Sequence, residues 1–173
     1  MKTQLTLSLF ACGLLLTACG KQDAAPAAAQ SAAPAAAPAA AAPAATGPAV
    51  VEITANDAMK FNLTRFEVSA GQEVKIVLTN LGTMPKAAMG HNLVLFKKDA
   101  DVKAYADAAV TAAATDYIPA AKADQILGHT KLLGPKQSDE FTFKAPAEKG
   151  EYPFICSFPA HYLSGMKGVM VVK

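Results

Sequence analysis

From Val50 onward, apolar residues fall in short runs or strict alternation, and glycine, proline, asparagine or aspartate separates one run from the next. Val74, Ile76 and Leu78 alternate with Lys75, Val77 and Thr79, the period of a strand with one face in a core, and Phe141 and Phe143 repeat that spacing. Strands are therefore expected at 50–55, 66–69, 73–80, 92–96, 125–130, 140–144, 151–156 and 168–172, punctuated by Gly71, Gly82, Gly90, Gly134-Pro135 and Gly150. One stretch breaks the pattern. Positions 98–114 are rich in alanine, aspartate and lysine, and Val102, Tyr105, Ala106 and Ala109 stand at i, i+3, i+4 and i+7. That is the stripe of an amphipathic helix, with Asp99 or Asp101 placed to cap its start. The pattern predicts an all-β, two-sheet antiparallel sandwich of seven to eight strands carrying a helical insertion. Such an architecture hosts many functions and selects none of them.

The residues before Val50 read differently. Met1-Lys2, an apolar run over 5–16 and Leu16-Thr17-Ala18-Cys19 follow in order. The run is too short to span a hydrocarbon core as a stable helix, so residues 1–18 are expected to be a signal peptide. Leu16-Thr17-Ala18-Cys19 resembles the lipobox of bacterial lipoproteins, which implies cleavage before Cys19, acylation of its thiol and amine, and anchorage through several acyl chains. Gly20, rather than an aspartate, in the second mature position implies the outer membrane. From Ala24 to Pro48 nearly every residue is alanine or proline. Recurrent proline interrupts helix, and side chains this small bury too little area to form a core. Residues 19–49 are expected to be the lipidated cysteine and an extended tether, whose Ala24–Pro48 tract reaches up to about 80 Å at roughly 3 Å per residue.

Cysteine usage narrows the chemistry. Cys12 lies in the expected leader, Cys19 ends it, and Cys156 stands alone in residues 50–173. A solitary thiol in an oxidising compartment closes no internal disulfide, and burial, a metal or a catalytic role must mask it. The formal charge of +2 comes from scattered acids and bases, and no basic patch carries interleaved aromatics, so no nucleic-acid partner is expected.

The stretch Cys156-Ser157-Phe158-Pro159-Ala160-His161-Tyr162-Leu163-Ser164-Gly165-Met166 supplies neighbours for that thiol, and Gly90-His91-Asn92 precedes it by some 65 residues. Cys156 ends one expected strand and Gly168 opens the next. Their loop therefore presents its side chains at one end of the sandwich, where His91 starts another expected strand. A thiolate, two imidazoles and a weak thioether form a soft set suited to copper cycling between Cu(I) and Cu(II), one ion per chain. Zinc also suits the two histidines and the cysteine. His129, on a strand and away from these loops, is left out of the set.

Four motifs carry a family resemblance. They are Ala55-Asn56-Asp57-Ala58-Met59-Lys60-Phe61-Asn62, Met89-Gly90-His91-Asn92, Gly128-His129-Thr130-Lys131-Leu132 and Phe154-Ile155-Cys156-Ser157-Phe158-Pro159-Ala160-His161. Through them residues 50–173 resemble the azurins, blue copper proteins of the cupredoxin class, over nearly their whole length. With its lipobox and Ala/Pro tract, the complete chain is similar to the lipid-modified azurins of neisserial outer membranes. The resemblance implies a Greek-key cupredoxin sandwich and single-electron transfer by a mononuclear type 1 copper centre. It implies His91, Cys156 and His161 as equatorial ligands, Met166 as an axial thioether and the Gly90 carbonyl as a weak axial ligand opposite. Asn92 is expected to fasten the ligand loops, and backbone N–H groups beside Phe158 to donate to the Cys156 sulfur. Met59, Phe61, Met89 and Phe158 are expected to form a dry collar. The implied partners are periplasmic c-type cytochromes and copper or haem reductases, met by transient docking.

The chain also departs from the azurin pattern. It lacks the cysteines of the azurin disulfide, places Leu93 where azurins bury a tryptophan, and places Asn80 where some carry a histidine. One extra residue before Met166 gives that loop a spacing resembling plastocyanin.

Other functions would use the same atoms. Cys156 as nucleophile with His161 or His91 as base would make an enzyme, although the loop holds no carboxylate to orient a substrate. A periplasmic copper-binding or delivery lipoprotein would need the ligands but no electron exchange. A structural surface lipoprotein would need neither.

Overall fold

The computed structural model describes residues 48–173. The expected signal peptide, the lipidation site Cys19 and all of the expected tether except its last two residues lie outside the described residues. Among the described residues, no helix is long and apolar enough to cross a membrane.

The described strands are β1 (Ala49–Asn56), β2 (Lys60–Phe61), β3 (Arg65–Val68), β4 (Glu73–Asn80), β5 (Val94–Phe96), β6 (Ile126–His129), β7 (Ser138–Lys144), β8 (Gly150–Ile155) and β9 (Lys167–Val172). They form one sheet in the order β2-β1-β4-β7 and a second in the order β3-β9-β8-β5-β6. Each expected strand is present with its ends displaced by no more than two residues, and the two-residue β2 is an addition.

The sheets are mixed rather than antiparallel, because β1 runs parallel to β4 and β3 runs parallel to β9. After β2 the chain crosses to the other sheet as β3 and returns as β4 beside β1. Alternation along a strand records which face is buried, not the direction of its neighbour, so the sequence pattern carried no trace of this.

Inward-facing residues of both sheets make the main core. Val74, Ile76 and Leu78 are fully buried, and the register sets Val74 opposite Phe143 and Ile76 opposite Phe141, cross-strand pairs of the kind that stabilise sheets. Phe66, Tyr152, Phe154, Met170 and Leu93 pack into the same core.

The helical insertion covers the outer face of the second sheet. Helix α2 (Val102–Ala109) buries Tyr105 and Ala109, and Tyr105 joins Val94, Phe96 and Ile155 in a separate cluster. The Tyr105 ring meets Phe96 edge-on, with centroids 4.8 Å apart. β5 is consequently buried on both faces, with Leu95 in the main core and its two neighbours beneath the helix. Asp101 caps α2 by accepting from the Ala104 N–H at 2.9 Å.

This helix is shorter than the alanine-rich stretch led us to expect. Thr111 and Thr115 turn their hydroxyls onto carbonyls three residues earlier, competing with helix propagation, and a 3-10 turn follows at Ala113–Thr115. Helix α1 (Lys86–Met89) was not expected, since four residues are too few to show a period.

Candidate metal centre

β5 and β8 are antiparallel, with Val94 opposite Ile155. The residue leaving β8, Cys156, therefore meets the residues entering β5, His91 and Asn92, at one end of the sandwich. His91 does not begin the regular strand. It makes an isolated bridge to Leu133, donating its N–H to the Leu133 carbonyl at 3.1 Å and accepting from the Leu133 N–H at 2.8 Å.

The loop after Cys156 folds back on itself. The His161 N–H donates to the Phe158 carbonyl at 3.1 Å, the Met166 N–H to the His161 carbonyl at 3.0 Å, and the Cys156 N–H to the Met166 carbonyl at 3.1 Å. These bonds hold the backbones of Cys156, His161 and Met166 in one closed loop.

Three side chains converge as a result. Cys156 Sγ lies 3.4 Å from His161 Nδ1 and 3.9 Å from His91 Nδ1, and the three donor atoms lie within 4.8 Å of one another. The imidazole centroids are 4.9 Å apart. His91, Cys156, His161 and Met166 are all buried.

Burial dominates the electrostatics. It pushes the Cys156 thiol up to about 12, against the backbone N–H groups of Asn92 and Phe158, which favour the thiolate. It pushes His161 down to about 4, with His91 acting in the same direction. Burial also lowers His91, while the Asn56 carbonyl and the Asp57 carboxylate pull it back up. At neutral pH the cluster is thus a protonated thiol beside two neutral imidazoles, donors that a cation satisfies and water does not reach. The expected N–H beside Phe158 acts on the sulfur, and the Asn92 N–H is a second donor that sequence reasoning missed.

The surrounding residues vary in how closely they serve the cluster. Asn92 is fully buried and ties the two ligand segments together, as expected, through Ser157. Phe158 packs on His161 at 4.7 Å between ring centroids. Phe61 is buried but packs on Phe154 at 5.6 Å, within the main core. Met59 and Met89 are half-buried, Met59 against the same core. Gly90 is buried where an added Cβ would stand 2.7 Å from the Lys86 carbonyl and 2.9 Å from Leu132 Cγ, so only glycine lets α1 close on Leu132. Asn80 accepts from the Gly82 N–H at 2.8 Å and donates to the Gly134 carbonyl at 3.0 Å. His129 is exposed on β6, outside the cluster.

Sequence reasoning also missed Ser157 as a fastener and Leu133 as the residue that seats His91. Adjacency to the ligands was the only signal, because neither residue type is itself a ligand.

A mixed β-sandwich with two histidines, a cysteine and a methionine gathered at one end defines a cupredoxin. Residues 48–173 match the family described as copper binding proteins, plastocyanin/azurin family, and the chain belongs to it. It is 41% identical over 174 residues to the outer membrane protein H.8 of Neisseria meningitidis serogroup B (strain ATCC BAA-335 / MC58), covering 93% of each chain. It is 37% identical over 123 residues to the azurin of Alcaligenes faecalis, covering 69% of this chain and 94% of the relative. Among solved structures it is similar to auracyanin A, a blue copper protein of Chloroflexus aurantiacus, at 35% identity and a TM-score of 0.65. That match covers 73% of this chain and 100% of the other. Copper is the cofactor of the family, and His91, Cys156, His161 and Met166 offer it a single site.

Proposed function

We propose that this protein is a single-electron carrier and not an enzyme, in which His91, Cys156, His161 and Met166 would hold one copper ion and the Gly90 carbonyl would be a further, weak ligand. The observation that carries this reading is the buried convergence of three donor atoms within 4.8 Å, two from the closed Cys156–Met166 loop and one from His91 beside it. When bound, copper supplies the one-electron chemistry.

The chain's own residues supply the rest. The Asn92 and Phe158 N–H groups stabilise charge on the Cys156 sulfur, the cross-tie between Asn92 and Ser157 holds the ligand segments in register, and buried Phe158 keeps water from His161. A site fixed in this way rearranges little when its charge changes.

We further infer that Cys19 is lipidated and that the Ala/Pro tract tethers the domain to the outer membrane. The lipobox-like Leu16-Thr17-Ala18-Cys19 and the names of the Neisseria relatives support this. The partners are periplasmic c-type cytochromes or copper and haem reductases, docking briefly.

The test is to titrate the full chain with Cu(II) and record visible and EPR spectra, with Cys156→Ser as control. One equivalent giving a blue species of small parallel hyperfine splitting, bleached by reductant, restored by oxidant and absent from the control, is expected. Colourless binding, or an ordinary tetragonal spectrum, defeats the reading. Fast loss of Cu(I) to a chelator moves the role to copper delivery.

A further inference from the structure

Asp116 and Tyr117 adopt the left-handed conformation in succession, with φ of 54° and 62°. Neither is glycine, so each carries a steric penalty that persists only where its surroundings over-determine it. Local hydrogen bonds hold this turn. The Tyr117 N–H donates to the Ala112 carbonyl at 2.9 Å, and the Thr115 hydroxyl bonds the carbonyls of Ala112 and Ile118 at 3.1 and 2.8 Å.

What the turn reaches is more informative than what holds it. The Asp116 carbonyl accepts from Asn92 Nδ2 at 3.1 Å, and the Tyr117 carbonyl accepts from Ser157 Oγ at 2.8 Å. Asn92 directly follows His91, and Ser157 directly follows Cys156. The Tyr117 ring stands edge-on to Phe158 at 5.0 Å, and Phe158 packs on His161. The Asp116 carboxylate pairs with Lys86 of α1 at 3.3 Å and accepts from the Leu132 N–H at 3.4 Å, one residue from the Leu133 bridge to His91. One short turn therefore touches the segments that carry His91 and Cys156 and reaches His161 through Phe158.

We propose that the Asp116–Tyr117 turn is a positioning element of the metal centre. Its two consecutive carbonyls take one donor from the His91 segment and one from the Cys156 segment, and so fix their separation before metal arrives. This rests on reading the cluster as a metal site. Partners that orient ligands in this way typically govern metal affinity by about 10- to 100-fold. The element directly follows the helical insertion, which gives the return from that insertion a role at the site.

The test compares the full chain with a double Asp116→Gly, Tyr117→Gly variant and with Asp116→Asn. The glycines keep the carbonyls and the permitted φ but relax the turn. Asparagine tolerates the left-handed conformation and removes only the charge. Two readouts apply: hydrogen exchange at the Ser157 amide in the metal-free protein, and the rate of Cu(II) loss to a chelator. In the double variant, exchange at Ser157 is expected to rise relative to β4 amides and copper loss to accelerate about tenfold. Asp116→Asn, which loses the Lys86 ion pair but keeps the backbone carbonyl, is expected to change both readouts less than the double variant does.

Wild-type Ser157 exchange in the double variant overturns the proposal, whatever happens to its melting temperature. Equal effects in both variants also overturn it, by assigning the role to the Lys86 ion pair. Should the double variant not fold, Ser157→Ala removes the donor to the Tyr117 carbonyl, and a wild-type rate of copper loss there overturns the proposal. Failure of the wild-type chain to hold copper defeats the metal reading instead, and the exchange measurement still decides whether the turn positions these segments.

Discussion

Asn92 and Ser157 grip each other in both directions. The Ser157 N–H donates to Asn92 Oδ1 at 2.8 Å, and Asn92 Nδ2 donates to Ser157 Oγ at 2.9 Å. Both residues are buried, so no water replaces a lost partner. Asn92→Leu strands the Ser157 amide and the Asp116 carbonyl together. At about 1–3 kcal/mol for a buried group left unpaired, and with the half-buried Asp116 carbonyl able to reach water, the metal-free protein is expected to lose roughly 1–3 kcal/mol. Urea denaturation reads this directly, and a loss below about 0.5 kcal/mol means that the pair does not hold the loops.

Copper uptake is expected to release about one proton per chain at pH 7. Burial holds the Cys156 thiol protonated, at about 12, and holds His161 neutral, at about 4. Binding requires the thiolate but takes no proton from a neutral imidazole's lone pair. Calorimetry of Cu(II) binding in two buffers of different ionisation enthalpy counts the proton. Zero release means that the thiolate already exists in the metal-free protein.

Acid destabilises the metal-free domain in a defined window. An unfolded histidine titrates near 6.5, whereas His161 does so at about 4 when folded, and burial shifts His91 in the same direction. Between these values the unfolded chain binds more protons. Stability is therefore fully present above the unfolded value and falls as pH drops toward the folded one. The His161 contribution is on the order of 3 kcal/mol across the whole window. Urea midpoints at pH 7 and pH 4.5 measure the loss, and His161→Gln is expected to flatten it. An unchanged slope in that variant assigns the acid sensitivity elsewhere.

Much of this was legible because it depends on local pattern. Val74, Ile76 and Leu78 announced a half-buried strand, and the short spacings among Cys156, His161 and Met166 announced a loop of donors. Strand direction was not legible, since β1 and β4 alternate in the same way whether parallel or antiparallel. The two left-handed residues Asp116 and Tyr117 were also invisible: neither is glycine, and the partners of their carbonyls, Asn92 and Ser157, are far away in sequence. Phe61, expected in a dry collar, packs against Phe154 in the core cluster that also holds Cys156, Phe158 and Met166, a contact set by long-range packing. Sequence placed the donors, while long-range contacts determine what holds them.

Ala160 offers a test of the loop itself. It precedes His161 with φ of 68°, a conformation in which the β-carbon crowds the following carbonyl. Its side chain is exposed, so glycine there forfeits little packing. Ala160→Gly is expected to stabilise the metal-free protein by about 0.5–1 kcal/mol, the relief of strain outweighing the added freedom of the unfolded chain. The loop bonds from the His161 N–H to the Phe158 carbonyl and from the Ser164 N–H to the Ala160 carbonyl do not involve that side chain, so copper retention is expected to hold. Ala160→Val adds β-branching to a left-handed residue and is expected to cost about 1–2 kcal/mol. Thermal and urea unfolding of the three proteins should rank glycine above alanine above valine. The reverse order would mean that this residue does not take the left-handed turn that delivers His161 to Cys156.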